Sequence, residues 1–139
     1  MQERKSKPKS SHHTQPRLGE LQVEVGPRLV YVAGPYRGAT IEAVELNIAT
    51  ARRVGLQLAR AGAMPVIPHA NTAGFELYAP DLHDEFWLDG TLELMRRCDA
   101  VVLCPAWSTS KGTLQEIAEA ARLGIPVFKS VEEYIDGWD

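Results

Sequence analysis

Apolar runs alternate with amphipathic stretches along most of this chain. The apolar runs are short, contain β-branched and aliphatic residues, and stop at glycine, proline or polar positions, which is typical of buried parallel strands. These runs cover residues 28–33, 63–67, 100–104 and 125–128. In the stretches between them, apolar side chains recur every three or four residues, a spacing that predicts amphipathic helices. The predicted helices cover residues 41–61, 86–97 and the stretch from Gly112 to a C-cap at Gly124, with a last helical turn over 131–135.

Strands that alternate with helices in so short a chain predict a parallel sheet covered by helices on both faces. We expect an α/β fold, a three-layer sandwich of flavodoxin-like or Rossmann-like type with a four- to five-stranded parallel sheet and the strand order 2-1-3-4. Three loops then leave the carboxyl ends of strands at one rim, over residues 34–40, 68–71 and 105–112. Ligands of open parallel sheets bind at this rim, so we expect the function there. Residues 72–85 lack periodicity and are predicted to be an insertion.

Composition separates a basic tail from an acidic body. The chain has 139 residues, of which 45% are hydrophobic, enough for one globular domain with a sizeable core. Residues 1–17 carry a net charge of +4 and no large aliphatic side chain after Met1, whereas the remainder carries −7. We therefore predict a disordered basic tail over residues 1–20 and a folded domain over residues 28–139. An acidic domain argues against a nucleic-acid polymer or an anionic membrane as the partner.

The predicted location is the cytoplasm. The first residues lack the apolar segment of a secretory signal, and no stretch approaches the roughly 20 apolar residues that a membrane span needs. Cys98 and Cys104 flank the third predicted strand and should lie roughly 20 Å apart, too far for a disulfide. We expect both to be buried, reduced thiols.

The turn after the third predicted strand combines hydroxyls, a glycine and a carboxylate. Residues 108–112 read STSKG and precede the helix that contains Glu116. The amino end of a helix offers unpaired N–H groups and the positive end of the helix dipole, so this turn predicts a phosphate bound beside a carboxylate. Thr113 and Glu116 also have the spacing of a capping box, in which Glu116 would only stabilise its own helix. Periodicity points Glu116 away from a core face formed by Leu114, Ile117, Ala118 and Ala121.

Three segments of the chain resemble one enzyme superfamily. They are VYVAGPYRG at residues 30–38, PVIPH at residues 65–69, and Ser110-x-Gly112-x-x-x-Glu116 followed by an alanine-rich helix and GIPVF. Together they resemble the nucleoside 2-deoxyribosyltransferase superfamily over roughly residues 28–130. Within it, the chain looks most like the small branch described as DUF4406 and is also similar to the 2′-deoxynucleoside 5′-phosphate N-hydrolases.

The resemblance implies a role for Glu116 as the nucleophile that attacks the anomeric carbon of a sugar and forms a glycosyl-enzyme ester. Ser110 matches a position that is a serine in the monophosphate hydrolases and an aspartate in nucleoside-specific transferases, which implies that the substrate carries a 5′-phosphate. Arg37 matches an arginine in the glycine-rich first loop of the hydrolases. It is expected to bind phosphate oxygens, with a solvated loop arginine as the alternative.

The remaining predicted substrate or phosphate contacts lie in the same three loops. They are Gly34, Tyr36, Gly38, His69, Trp107 and Gly112. Tyr36 and Trp107 are candidates either to stack a nucleobase or to pack against the wall of the crevice. His69 is a candidate either to contact the ligand or to cap its own loop.

One position departs from the family pattern. The family usually places an aspartate, which helps to protonate the departing base, eight residues before the aspartate that opens the third strand. Counted back from Asp99, that position is Thr91. Asp89 is the candidate that could replace it as a catalytic residue, although it lies about 200° around a helix from Thr91.

The sequence therefore predicts an enzyme that hydrolyses or transfers at the N-glycosidic bond of a (deoxy)nucleoside 5′-monophosphate through Glu116. The expected partner is a small-molecule nucleotide or nucleoside, without a metal or an organic cofactor. The alternatives are a non-catalytic nucleotide-binding or sensing module, which Thr91 allows, and a transferase for free deoxynucleosides, which Ser110 disfavours. Related small enzymes close their crevice with a neighbouring subunit, so a homodimer or larger homo-oligomer is expected.

Overall fold

A computed structural model describes residues 25–138 of the chain. The strands are β1 (Leu29–Ala33), β2 (Met64–Val66), β3 (Ala100–Leu103) and β4 (Val127–Phe128). The helices are α1 (Ile41–Arg60), α2 (Pro68–Asn71), α3 (Phe75–Tyr78), α4 (Asp84–Arg96), α5 (Lys111–Leu123) and α6 (Val131–Gly137), and a short 3₁₀ helix covers Trp107–Thr109. The basic tail predicted over residues 1–20 lies outside the described residues.

The strands form one parallel sheet in the order β2-β1-β3-β4. Tyr31 in β1 lies opposite Val66 in β2 and Val101 in β3. Side chains of β1 alternate between two cores: Val30 and Val32 pack with α1 and α6, whereas Tyr31 faces α4 and α5. The predicted α/β three-layer sandwich, its parallel strands and its strand order are confirmed.

Capping residues set the start of α1 and the end of α5. The side chain of Thr40 accepts a hydrogen bond from the N–H of Ala43 and caps α1. Gly124 ends α5 with a φ of 75°, a left-handed conformation that glycine adopts without strain, so the predicted C-cap is confirmed. Residues 68–71 form α2 and not the predicted loop, because Pro68 suits the first helical position, where a missing N–H costs nothing.

The buried face of α5 also differs from the predicted one. Thr113, Glu116 and Ala120 are its buried residues, whereas Leu114 is 46% exposed. Ala118 and Ala121, which were also predicted on the core face, are exposed, whereas Ile117 is partly buried and packs against the core that contains Tyr31. The face of α5 that packs on the sheet is partly polar, because Tyr31 of the sheet donates a hydrogen bond to Glu116. The spacing of apolar residues along the helix does not reveal this partner.

Both cysteines are buried and free. Burial raises the pKa of the Cys98 and Cys104 thiols to about 11, so both are protonated and unreactive at neutral pH. Among the helices between residues 25 and 138, none has the length and apolar character needed to cross a membrane.

Candidate active site around Glu116

Glu116 lies inside the fold and not on the solvent face of α5. Its side chain is 8% exposed, and its Oε2 accepts a hydrogen bond of 2.5 Å from the hydroxyl of Tyr31. Tyr31 is fully buried at the centre of β1. Bonds from a hydroxyl to an ionised carboxylate are short, and this length fits one. The capping-box hypothesis for Glu116 is wrong, because the side chain that caps α5 is Ser110 and not Thr113.

Thr91 of α4 completes the surroundings of the Glu116 carboxylate. Burial raises the pKa of Glu116 above its ordinary value of 4.5, and hydrogen bonds with the hydroxyls of Tyr31 and Thr91 oppose that rise. Burial and the nearby carboxylate raise the pKa of Tyr31, so the phenol stays protonated and able to donate. The Thr91 hydroxyl donates its proton to the backbone carbonyl oxygen of Leu88, at 3.1 Å within the same helix. The Tyr31 hydroxyl of β1 therefore holds the carboxylate in place, and Thr91 of α4 lies beside it.

No basic side chain of residues 25–138 forms an ion pair with Glu116. The ion pairs of this region join arginines to other acidic groups, at Arg37, Arg96, Arg97 and Arg122. A buried carboxylate without a cation is costly, and such groups with perturbed pKa values concentrate at functional sites. Glu116 is therefore the strongest candidate for a reactive group in the described part of the chain.

His69 fastens the first loop to α2. It is buried, and its Nε2 lies 2.9 Å from the carbonyl oxygen of Gly34 and 2.8 Å from that of Pro35, to which it donates. Burial lowers the pKa of His69, which favours the neutral ring at pH 7. A Cβ at Gly34 would lie 2.5 Å from the Cβ of Cys104, so only glycine fits there. These contacts favour loop capping over ligand contact as the role of His69.

Tyr36 joins the first loop to the segment that begins α3. Its hydroxyl lies 3.0 Å from both carboxylate oxygens of Glu76 and accepts a hydrogen bond of 3.3 Å from the N–H of Gly74. Its ring meets that of His69 edge to face at a centroid distance of 5.3 Å. Asn47 of α1 donates to the carbonyl oxygen of Tyr36 at 3.0 Å. These contacts indicate that Tyr36 packs against the wall of the rim and does not stack on a base.

Arg37 and Gly38 form the open part of the first loop. The guanidinium of Arg37 pairs with Asp84 at the start of α4, and the two side chains are 63% and 81% exposed. Exposed ion pairs contribute little free energy, so a phosphate could displace Asp84 from Arg37. A Cβ at Gly38 would lie 2.5 Å from that of Ala43, which explains the glycine by packing against α1.

Ser110 and Gly112 form the amino end of α5. The Oγ of Ser110 accepts hydrogen bonds from the N–H and the hydroxyl of Thr113, at 3.2 and 2.9 Å. Because Ser110 Oγ accepts in both of these bonds, its own hydroxyl proton remains available to donate to a ligand. A Cβ at Gly112 would meet no atom within 4 Å, so packing within the chain does not require a glycine there. The open space suits close approach of an anion to the helix N–H groups.

Trp107 and Asp89 form no hydrogen bond to the Glu116 carboxylate. Trp107 packs against the core that contains Tyr31, and the Nζ of Lys129 lies 5.9 Å from its ring centroid, which favours the packing interpretation. Asp89 is exposed on α4, and the helix is regular through this turn, so no irregularity rotates Asp89 inward. The structure brings Thr91, and not Asp89, to Glu116.

Two open grooves lie beside this region. One, of about 450 Å³, separates the start of α1 from the segment around α3, and Tyr36, Ile41 and Glu76 lie on its walls. The other, of about 430 Å³, lies beside β2 and α2. Glu116 lines neither groove, so neither groove by itself marks the position of the carboxylate. Within residues 25–138, no three histidine, cysteine, aspartate or glutamate side chains are grouped so that they could hold a metal ion.

Sequence analysis missed Tyr31 and Asn47. Tyr31 carries the one polar side-chain atom in the strand LVYVA, and a buried hydroxyl needs a hydrogen-bond partner, so a signal for its role was present. Asn47 donates to the carbonyl oxygens of Tyr36 and Arg37 from the inward side of α1. Asparagine is common in amphipathic helices, so no signal in the sequence distinguished Asn47.

A comparison with curated proteins finds no match. A family model does match, over residues 28–130. The matched span runs from the residue before β1 to the residue before α6 and includes Tyr31, Thr91 and Glu116. The chain therefore belongs to the family described as a domain of unknown function, DUF7768.

Proposed function

We propose that the protein breaks the N-glycosidic bond of a (deoxy)nucleoside 5′-monophosphate, by hydrolysis or by transfer of the sugar to another base, with Glu116 as the nucleophile. The observation that carries this proposal is the buried carboxylate of Glu116, held at 2.5 Å by Tyr31 without a cationic partner in the described residues. The family description names no activity, so the support is geometric and chemical.

The chemistry uses the two oxygens of the carboxylate differently. Tyr31 binds Oε2, so Oε1 is the oxygen assigned to attack. In the first step Oε1 forms a bond to C1′ while the C1′–N bond breaks, and the bonding electron pair leaves with the base, which takes up a proton from solvent water. Water or a second base then attacks C1′ and releases the carboxylate. C1′ passes through an oxocarbenium-like state in both steps, and a nearby carboxylate stabilises it.

The amino end of α5 supports a phosphate as the charged end of the substrate. The helix dipole and the N–H groups around Gly112 favour an anion, and no side chain fills the space above Gly112. The hydroxyl proton of Ser110 and the guanidinium of Arg37 add donors. A free nucleoside would leave these donors without a partner, which disfavours the transferase acting on free deoxynucleosides.

The test is base release measured by chromatography on the full chain with a panel of deoxynucleotides, ribonucleotides and free nucleosides. The wild-type protein should release base from a monophosphate. Glu116→Gln should keep nucleotide binding and lose base release by several orders of magnitude, because a neutral amide neither attacks C1′ nor stabilises the oxocarbenium. Glu132→Gln, the same change at an exposed position of α6, is the matched control. Full activity of Glu116→Gln would refute the proposal.

A second candidate function is a non-catalytic nucleotide-binding or sensing module on the same fold. The observation that favours it is Thr91 beside Glu116, because a threonine hydroxyl is a poor proton donor to a departing base compared with a carboxylic acid. Thermal stabilisation by nucleotides without release of base from any of them would select this candidate.

A further inference from the structure

Aromatic side chains cluster around Trp87, in the first turn of α4. Phe75 of α3 and Phe86 of α4 meet the Trp87 ring at centroid distances of 6.3 and 5.0 Å, with interplanar angles of 73° and 85°. Neither phenylalanine ring is therefore stacked in parallel on the indole. Phe75 and Phe86 are 50% and 53% exposed. Exposed aromatic area of this kind gains free energy when a flat apolar group covers it.

The three tryptophans of the described chain differ in what covers their rings. The guanidinium of Arg28 lies 4.4 Å from the ring centroid of Trp138, and the ammonium of Lys129 lies 5.9 Å from that of Trp107. Among residues 25–138, no cation takes this position at Trp87. Trp87 is therefore the tryptophan whose ring carries no charged group from the protein itself.

The position of Trp87 on α4 relates it to the candidate active site. Trp87 precedes Thr91 by four residues, so the two side chains share one face of the helix, with Cβ atoms roughly 5–6 Å apart. Thr91 in turn lies near enough to Glu116 to lower the pKa of its carboxyl group, against the rise caused by burial. The indole N–H of Trp87 donates to the carbonyl oxygen of Leu82 at 3.2 Å, which fixes the orientation of the ring. An oriented aromatic ring thus lies one helical turn from the group beside Glu116.

We propose that Trp87, with Phe75 beside it, is the platform on which the nucleobase of the substrate stacks. This inference rests on the proposed function, because it places the base of the nucleotide whose C1′ meets Glu116. Every base has a π-face, so a stacking platform accepts more than one base. A purine covers more of an indole ring than a pyrimidine does. The site therefore takes purine nucleoside monophosphates in preference to pyrimidine ones.

The experiment measures binding by calorimetry on the full chain with dAMP, dCMP and 2-deoxyribose 5-phosphate, which has no base. The wild-type protein should bind dAMP more tightly than dCMP. Trp87→Leu should weaken dAMP binding by about tenfold, equivalent to about 1.4 kcal/mol, and leave 2-deoxyribose 5-phosphate unaffected. Phe75→Ala, at a half-exposed position where truncation leaves the core intact, should weaken dAMP in the same way. Trp138→Leu, which packs against the core on the other face of the sheet, is the matched control.

The outcomes separate this inference from the proposed function. Unchanged dAMP affinity in Phe75→Ala and Trp87→Leu overturns the platform, as does an equal loss of affinity for dAMP and 2-deoxyribose 5-phosphate. If Trp87→Leu does not fold, the Phe75→Ala result decides alone. Wild-type protein that binds dAMP through Trp87 but releases no adenine supports the platform and refutes the glycosidase. Variants that release adenine with wild-type KM refute the platform and leave the glycosidase standing.

Discussion

Tyr31→Phe removes one oxygen atom from a fully buried side chain and takes a hydrogen-bond donor away from the charge of Glu116. Phenylalanine fills the same ring volume, so the loss of the 2.5 Å bond dominates the effect. A hydrogen bond to a charged group contributes about 1.5–3 kcal/mol to stability. We therefore expect Tyr31→Phe to lower the free energy of unfolding by about 1.5–3 kcal/mol at a pH where the carboxylate is ionised.

The pH dependence of this effect has a defined sign. Because burial raises the pKa of Glu116 above 4.5, the folded state binds its proton more tightly than the unfolded state does. The stability that this difference contributes is fully present below the unfolded pKa and is lost as the pH rises through the folded pKa. Glu116→Gln cannot ionise, so its stability relative to the wild type should increase with pH. The destabilisation caused by Tyr31→Phe should also increase with pH, because the donor matters most to the charged form.

The assay is urea denaturation of the wild type, the two single variants and the double variant, at about pH 5 and about pH 8. The coupling free energy between Tyr31 and Glu116 should be about 1–2 kcal/mol at the higher pH and smaller at the lower one. Tyr78→Phe, the same change at a side chain that is 88% exposed, is the control and should have no measurable effect. A coupling below about 0.5 kcal/mol at both pH values would refute the view that Tyr31 holds an ionised Glu116.

Other changes test the phosphate end of the site, the packing of the rim and the assembly. Ser110→Asp keeps an N-cap oxygen, so the fold should persist, while calorimetry should show monophosphate affinity falling at least about tenfold relative to a free nucleoside; an unchanged preference means that the phosphate is held elsewhere. Gly34→Ala should destabilise the protein by about 1–3 kcal/mol in urea, because the new Cβ would lie 2.5 Å from that of Cys104. Gly112→Ala should instead stabilise it by about 0.5–1 kcal/mol while weakening monophosphate binding, and undiminished binding would contradict a close approach of the phosphate. Sedimentation should show a homodimer or a larger homo-oligomer; a wild-type monomer with full activity counts against this.

The elements of the fold were predictable because their signals are local. The run at residues 28–33 became β1 at Leu29–Ala33, and the periodic stretch at 41–61 became α1 at Ile41–Arg60. Short parallel strands need helical crossovers, and crossovers are right-handed, which left few possible strand orders. Gly124 marked a helix end because its left-handed conformation is one that other residues rarely adopt.

The rotation of α5 was not predictable in the same way. Its apolar residues Leu114, Ile117, Ala118 and Ala121 form a stripe that a period of 3.6 residues assigns to the core, and of these Ile117 does pack against it. The observed helix buries Thr113 and Glu116 instead. The spacing of apolar residues predicts which helix face is most hydrophobic. Which face is actually buried also depends on the polar groups of the neighbouring strand, here the Tyr31 hydroxyl.

The sequence by itself determined the α/β class, the order of the strands and the rim at which polar loops meet, because apolar periodicity, glycine and proline act over a few residues. It also singled out Glu116 by its position after Ser110 and Gly112. Only the tertiary structure decided that Glu116 is buried and that Tyr31, 85 residues earlier in the chain, holds it. The tertiary structure also put Thr91 at that carboxylate and left Asp89 in solvent. These outcomes depend on the packing of α4 and α5 on the sheet, and contacts between distant segments leave no periodic trace in the chain.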